Sequence, residues 1–166
     1  MSVPGGATLG EERAQARILV ACVGNVLRGD DGFGPAVAKR LEGQLPAGAE
    51  LVETGIGGVA LLQELLAGCS GLVLIDAVER GAEPGTVFVL APEIVSEGVH
   101  VPDVHLANPD RVLSMAKSMG ALPERLLIVG CQVGEVEDFG GPLSAAVEGA
   151  VEVAAQRVQE AVGAWL

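Results

Sequence analysis

The chain has 166 residues, 49% of them hydrophobic, which is enough to close one substantial core and about the size of a single domain. Acidic residues number 22 against 10 basic, and the net charge of −12 argues against nucleic acid and anionic membrane surfaces as partners. Mean hydropathy is high, at +0.45, yet no apolar run approaches the roughly 18 to 20 residues of a membrane span.

Residues 1–16 are Gly-rich and charged, and are read as a disordered tail preceding one domain over residues 17–166. The tail lacks the basic start and apolar stretch of a secretion signal, so a cytoplasmic protein is expected. Strand patterns follow at Arg17–Val23, Leu51–Thr54, Gly71–Asp76, Thr86–Leu90 and Arg125–Cys131, and helix patterns at Gly34–Gln44, Val59–Ala67, Asp110–Met119 and Leu143–Ala164. Their alternation predicts an α/β fold, a three-layer α/β/α sandwich around a mixed, mostly parallel five-stranded sheet. The segment from Arg80 to Gly85 has turn chemistry and no room for a helix, so the third and fourth strands are expected to pair as an antiparallel hairpin.

The most informative stretch is Gly24-Asn25-Val26-Leu27-Arg28-Gly29-Asp30-Asp31-Gly32-Phe33-Gly34, between the first strand and the first helix. Loops at this position in α/β proteins hold ligands at the carboxyl end of a parallel strand. Two adjacent aspartates repel phosphate and suit a cation. One of the pair is expected to cap the following helix, leaving the second for another task. The stretch also fails the Gly-x-Gly-x-x-Gly spacing of a dinucleotide loop. Asp76 closes the apolar run Leu72-Val73-Leu74-Ile75, where a buried strand gives way to its loop and to the ligand crevice.

The histidines number two, His100 and His105, both ahead of the third helix. Either one, added to two carboxylates at the carboxyl ends of strands, completes an oxygen, oxygen, nitrogen set suited to a divalent transition metal with open positions. Cys22, Cys69 and Cys131 form no CxxC spacing and are read as small buried hydrophobes. Cys22 and Cys131 each end an apolar run, which places them at the same end of the sheet. No Gly-x-Ser-x-Gly elbow and no HExxH helix is present, so serine hydrolase and zincin chemistry lack support.

The segment Gly24 to Gly34 resembles the GNxLxxDDGxG signature of the hydrogenase maturation endopeptidases, which trim the carboxyl-terminal extension from the large subunit of nickel-iron hydrogenases. The likeness continues in Leu74-Ile75-Asp76-Ala77-Val78, in the Pro84-Gly85-Thr86 turn, and in His105 with the helix through Leu113-Ser114. It implies a hydrogenase large-subunit precursor as partner and substrate, with Asp31, Asp76 and His105 as the catalytic, metal-contacting set. The metal implied is nickel carried by the precursor, with no organic cofactor. A non-enzymatic nickel carrier or sensor using the same residues is the alternative. Two positions depart from the family pattern: Cys22 stands where a glycine is common, and Ile56 replaces a hydroxyl residue in the turn Thr54-Gly55-Ile56-Gly57-Gly58.

Overall fold

The computed structural model describes residues 16–56, 58–94, 109–134 and 141–166. Its strands are β1 (Ile18–Val23), β2 (Ala49–Gly55), β3 (Gly71–Val78), β4 (Val87–Leu90) and β5 (Arg125–Gln132). The helices are α1 (Phe33–Leu41), α2 (Gly58–Leu66), α3 (Pro109–Ser118) and α4 (Ala145–Trp165), with a single 3-10 turn at Gly29–Gly32. Residues 1–15 of the predicted tail and both histidines lie outside the described residues. Among the described residues no helix is long and apolar enough to cross a membrane.

The strand order is β2-β1-β3-β5-β4. β1 pairs in parallel with both β2 and β3, and β3 in parallel with β5, while β4 alone runs antiparallel. A parallel sheet buried on both faces calls for strands that are apolar throughout. β1 meets this demand: Ile18, Val20 and Cys22 face one layer and Leu19 and Ala21 the other, each at most 1% exposed. The first layer holds Phe33, Val37 and Leu41 of α1 with Val147, Val158 and Val162 of α4. The opposite layer holds Leu61 and Leu65 of α2 with Val112, Leu113 and Ala116 of α3. This is the predicted three-layer mixed sheet.

The predicted hairpin does not form. β4 pairs with β5, through Val87↔Cys131 to Leu90↔Ile128, because β5 already occupies the position beside β3. The eight residues from Glu79 to Thr86 carry the chain across the end of β5 and back down its far side. Gln132 organises that passage. Its side chain is 2% exposed; Oε1 accepts the N–H groups of Arg80 (2.8 Å) and Ala82 (3.3 Å), and Nε2 donates to Glu79 Oε1 (2.8 Å) and the Val133 carbonyl (3.1 Å). Gly85 then turns with φ +86° against α4, where a Cβ would stand 2.5 Å from the Ala146 carbonyl oxygen.

At the amino end of the sheet Arg17 fastens three elements. Its guanidinium bonds the Gly68 carbonyl (2.8 Å), Glu50 on β2 (2.9 Å) and the Glu64 carboxylate on α2 (3.1 Å). The opposite, carboxyl end carries the acidic loop.

Candidate functional site

From β1 the chain proceeds through α1 to β2 on one side, whereas β3 lies on the other side of β1. The carboxyl ends of β1 and β3 therefore diverge at a topological switch point, the place where open α/β sheets bind ligands. Both aspartates singled out in the sequence fall there.

The loop after β1 is tightly built. Gly24 has φ +146°, and a Cβ on it would stand 2.1 Å from the Asp31 carbonyl oxygen. The Asn25 N–H donates to that same carbonyl (3.1 Å), the Arg28 N–H to the Asn25 carbonyl (3.1 Å), and the Asp31 N–H to the Arg28 carbonyl (3.1 Å). Asn25 Oδ1 also accepts the Leu27 N–H (2.9 Å), a local turn typical of asparagine. The loop thus closes on itself and presents Val26 and Leu27 to solvent, 64% and 61% exposed. Ile56, in the turn after the neighbouring β2, is 59% exposed at the same end of the sheet.

The two neighbouring aspartates meet opposite surroundings. Asp30 is fully buried, and its carboxylate accepts hydrogen bonds from the Gly134 N–H (2.9 Å), the Ser144 N–H (2.7 Å) and the Ser144 hydroxyl (2.9 Å). Neither aspartate caps α1, whose N-cap position is Gly32. The expected capping role is corrected accordingly: Asp30 secures the residue at the N-cap of α4, more than a hundred positions away in the chain. Asp31 is half-buried beside it.

Asp76 lies inside β3, which continues two residues further to Val78. The strand end expected at Asp76 is thus displaced, because Ala77 and Val78 still pair with Cys131 and Gln132 of β5. Strand alternation turns Asp76 to the face of Leu72 and Leu74, the layer of α2 and α3. Burial pushes its carboxyl up to about 7, and the negative charges of Asp31 and of Asp110, in the first turn of α3, add to the rise. The charge of Asp31 is thus felt at Asp76.

His105, like His100, is outside the described residues, and among the described residues no three metal-binding side chains cluster. Of the cysteines, Cys22 and Cys131 are buried in the layer of α1 and α4, and Cys69 is half-buried. Sequence reasoning passed over Gln132 and Ser144. Gln132 carried a signal of the same kind as Asp76, a polar residue closing a continuous apolar run.

A family model described as hydrogenase maturation protease matches residues 35–161. The hydrogenase expression/formation protein HupD of Rhizobium leguminosarum bv. viciae is 34% identical over 153 residues, covering 90% of this chain and 75% of that protein. The hydrogenase 2 maturation protease of Escherichia coli K12 is 31% identical over 153 residues, covering 88% of this chain and 90% of the relative. Among solved structures, the hydrogenase maturating endopeptidase HybD from E. coli superposes with a TM-score of 0.75 at 30% identity, covering 89% of this chain and 93% of its own. On this ground the chain belongs to the hydrogenase maturation proteases, a family of endopeptidases.

Proposed function

We propose that the protein removes the carboxyl-terminal extension of a nickel-iron hydrogenase large-subunit precursor after nickel has been inserted, in the cytoplasm, and that Asp31, Asp76 and His105 contact the precursor's nickel. The observation that carries this reading is the placement of Asp31 and Asp76 at the β1–β3 switch point. Asp76 is raised to about 7 by burial, and the charges acting on it, Asp31 and Asp110, are both acidic. Bringing a divalent cation to that point relieves the repulsion and favours the ionised carboxylates, and oxygen donors with one imidazole suit a divalent transition metal.

His105 lies four positions before Pro109, at most about 14 Å of extended chain. The first turn of α3 begins at Pro109, and its Asp110 is already coupled to Asp76. The histidine four positions before α3 is the nitrogen donor this reading assigns. The nickel arrives as part of the substrate, so contact with it distinguishes a loaded precursor from an empty one. The two aspartates and the imidazole then position the precursor for hydrolysis of its peptide bond.

Incubation with nickel-loaded and nickel-free precursor, followed by mass spectrometry, tests the proposal. Only loaded precursor should lose the mass of the extension, and Asp31→Asn and Asp76→Asn should leave it uncut while circular dichroism stays native. Equal cleavage of both precursors would remove nickel from the reading, and parent-like rates in either variant would remove that carboxylate.

A further inference from the structure

Asp30 is a carboxylate with no exposure to solvent, held by three neutral donors. Those donors come from the two sides of residues 135–140: Gly134 lies just past β5, and Ser144 just before α4. β5 is in turn laddered to β3 through Asp76↔Gly130 and Val78↔Gln132, and the Val133 N–H extends the ladder to the Val78 carbonyl at 3.1 Å. On the other side, Asp30 is joined directly to Asp31, whose backbone is locked into the loop by the Asn25 and Arg28 hydrogen bonds. A continuous path of short bonds therefore runs from Asp31 through the Asp30 carboxylate to β5, and across the ladder to Asp76.

We infer that Asp30 is a positioning residue for the cleavage reaction: by clamping Gly134 and Ser144 it fixes where Asp31 stands relative to Asp76, without itself touching substrate. The inference rests on Asp31 and Asp76 acting together on the precursor. Charge-assisted hydrogen bonds accepted by a buried carboxylate are strong and directional, which suits them to holding a loop in one register. Asparagine at position 30 keeps the shape but turns an N–H group toward a backbone donor. Alanine at position 144 removes the hydroxyl donor alone and keeps the N–H.

Single-turnover cleavage of nickel-loaded precursor separates this role from ordinary structural support. The variants are Asp30→Asn, Ser144→Ala, Asp31→Asn and Val158→Ala, compared at a temperature where circular dichroism shows each to be folded. Val158 is a buried residue of α4, 14 positions and about 21 Å along the helix from Ser144, and serves as a destabilised control. Asp30→Asn should lower the cleavage rate at saturation about tenfold or more with half-saturation unchanged, the scale typical of residues that orient metal-contacting groups. Ser144→Ala should show a smaller loss in the same direction, and Val158→Ala should cleave at the parent rate despite a lower melting temperature.

Cleavage by Asp30→Asn at the rate of Val158→Ala would overturn the inference. If Asp30→Asn does not fold, Ser144→Ala decides, and a parent rate there is equally fatal. A parent rate for Asp31→Asn would sink the underlying metal-site reading and this inference with it, whereas an inactive Asp31→Asn beside a parent-like Asp30→Asn would sink the positioning role alone.

Discussion

Asp31, in the loop after β1, acts on Asp76 of β3 across the switch point, and its negative charge adds to the burial that carries the Asp76 carboxyl to about 7. The folded protein thus holds this proton more tightly than the unfolded chain does. The stability it contributes is complete below about pH 4, the range of an unfolded aspartate, and is lost as pH rises through about 7. Metal-free Asp76→Asn carries no such titration. It should be more stable than the parent at pH 8, by on the order of 3 kcal/mol, with the gap closing towards pH 4. Urea denaturation across that range checks this; a gap independent of pH would contradict it. Processing of loaded precursor should fall as pH drops below about 7, because proton and cation compete for the same carboxylate.

The two histidines should separate cleanly. His100 precedes the Val101-Pro102 pair, where proline biases its neighbour to extended backbone, and His105 stands closer to α3. His105→Ala should reduce precursor cleavage by about two orders of magnitude, the scale of losing a catalytic polar group, while His100→Ala stays near the parent rate. The reverse result would transfer the role to His100, and two active variants would end it for both.

Alanine in place of glycine should act with opposite signs at two helical sites. At Gly34, in the first turn of α1, a Cβ would stand 2.0 Å from the Val23 carbonyl oxygen and 3.0 Å from the Val23 nitrogen, backbone atoms of the central β1. Gly34→Ala should destabilise by about 3 kcal/mol and disturb the acidic loop ahead of it. Gly149, in α4, has nothing within 4 Å of its added Cβ, so Gly149→Ala should stabilise by up to about 1 kcal/mol. Thermal melts of both variants provide the comparison.

Gln132→Leu should cost about 2 to 3 kcal/mol despite its apolar surroundings, because the N–H groups of Arg80 and Ala82 lose their acceptor. Amide hydrogen exchange should locate the damage, with faster exchange at Arg80 and Ala82 and little change at the far end of β5. Uniform acceleration along β5 would show that the residue supports the strand and not the crossing.

The layers of the fold were legible because β1, β3 and β5 are continuous apolar runs while the helices carry one apolar face each. The partner of β4 was not legible. The segment from Glu79 to Thr86 has the same turn chemistry whether it folds straight back or steps over a strand, and the choice is made by β5, which arrives some forty residues later. The division of work between Asp30 and Asp31 was hidden for the same reason. The donors that draw one carboxylate inward belong to Gly134 and Ser144, 104 and 114 residues away, and no local spacing announces them. Asp76 stood out in the sequence because its signal is local, an acid following a run of buried aliphatics.

The cysteines give the site a chemical neutrality of their own. Burial lifts the Cys22 thiol to about 12 and the Cys131 thiol to about 11, and it raises Cys69 as well. Soft metals are captured by thiolate, and at cellular pH none of these sulfurs offers one. Under the proposed reading, in which the protein contacts nickel carried by its substrate, ligands that strip the ion would serve it poorly. Here the sulfur is kept protonated within the packed interior or its margin, which leaves the oxygen and nitrogen donors of the proposed set without competition from thiolate.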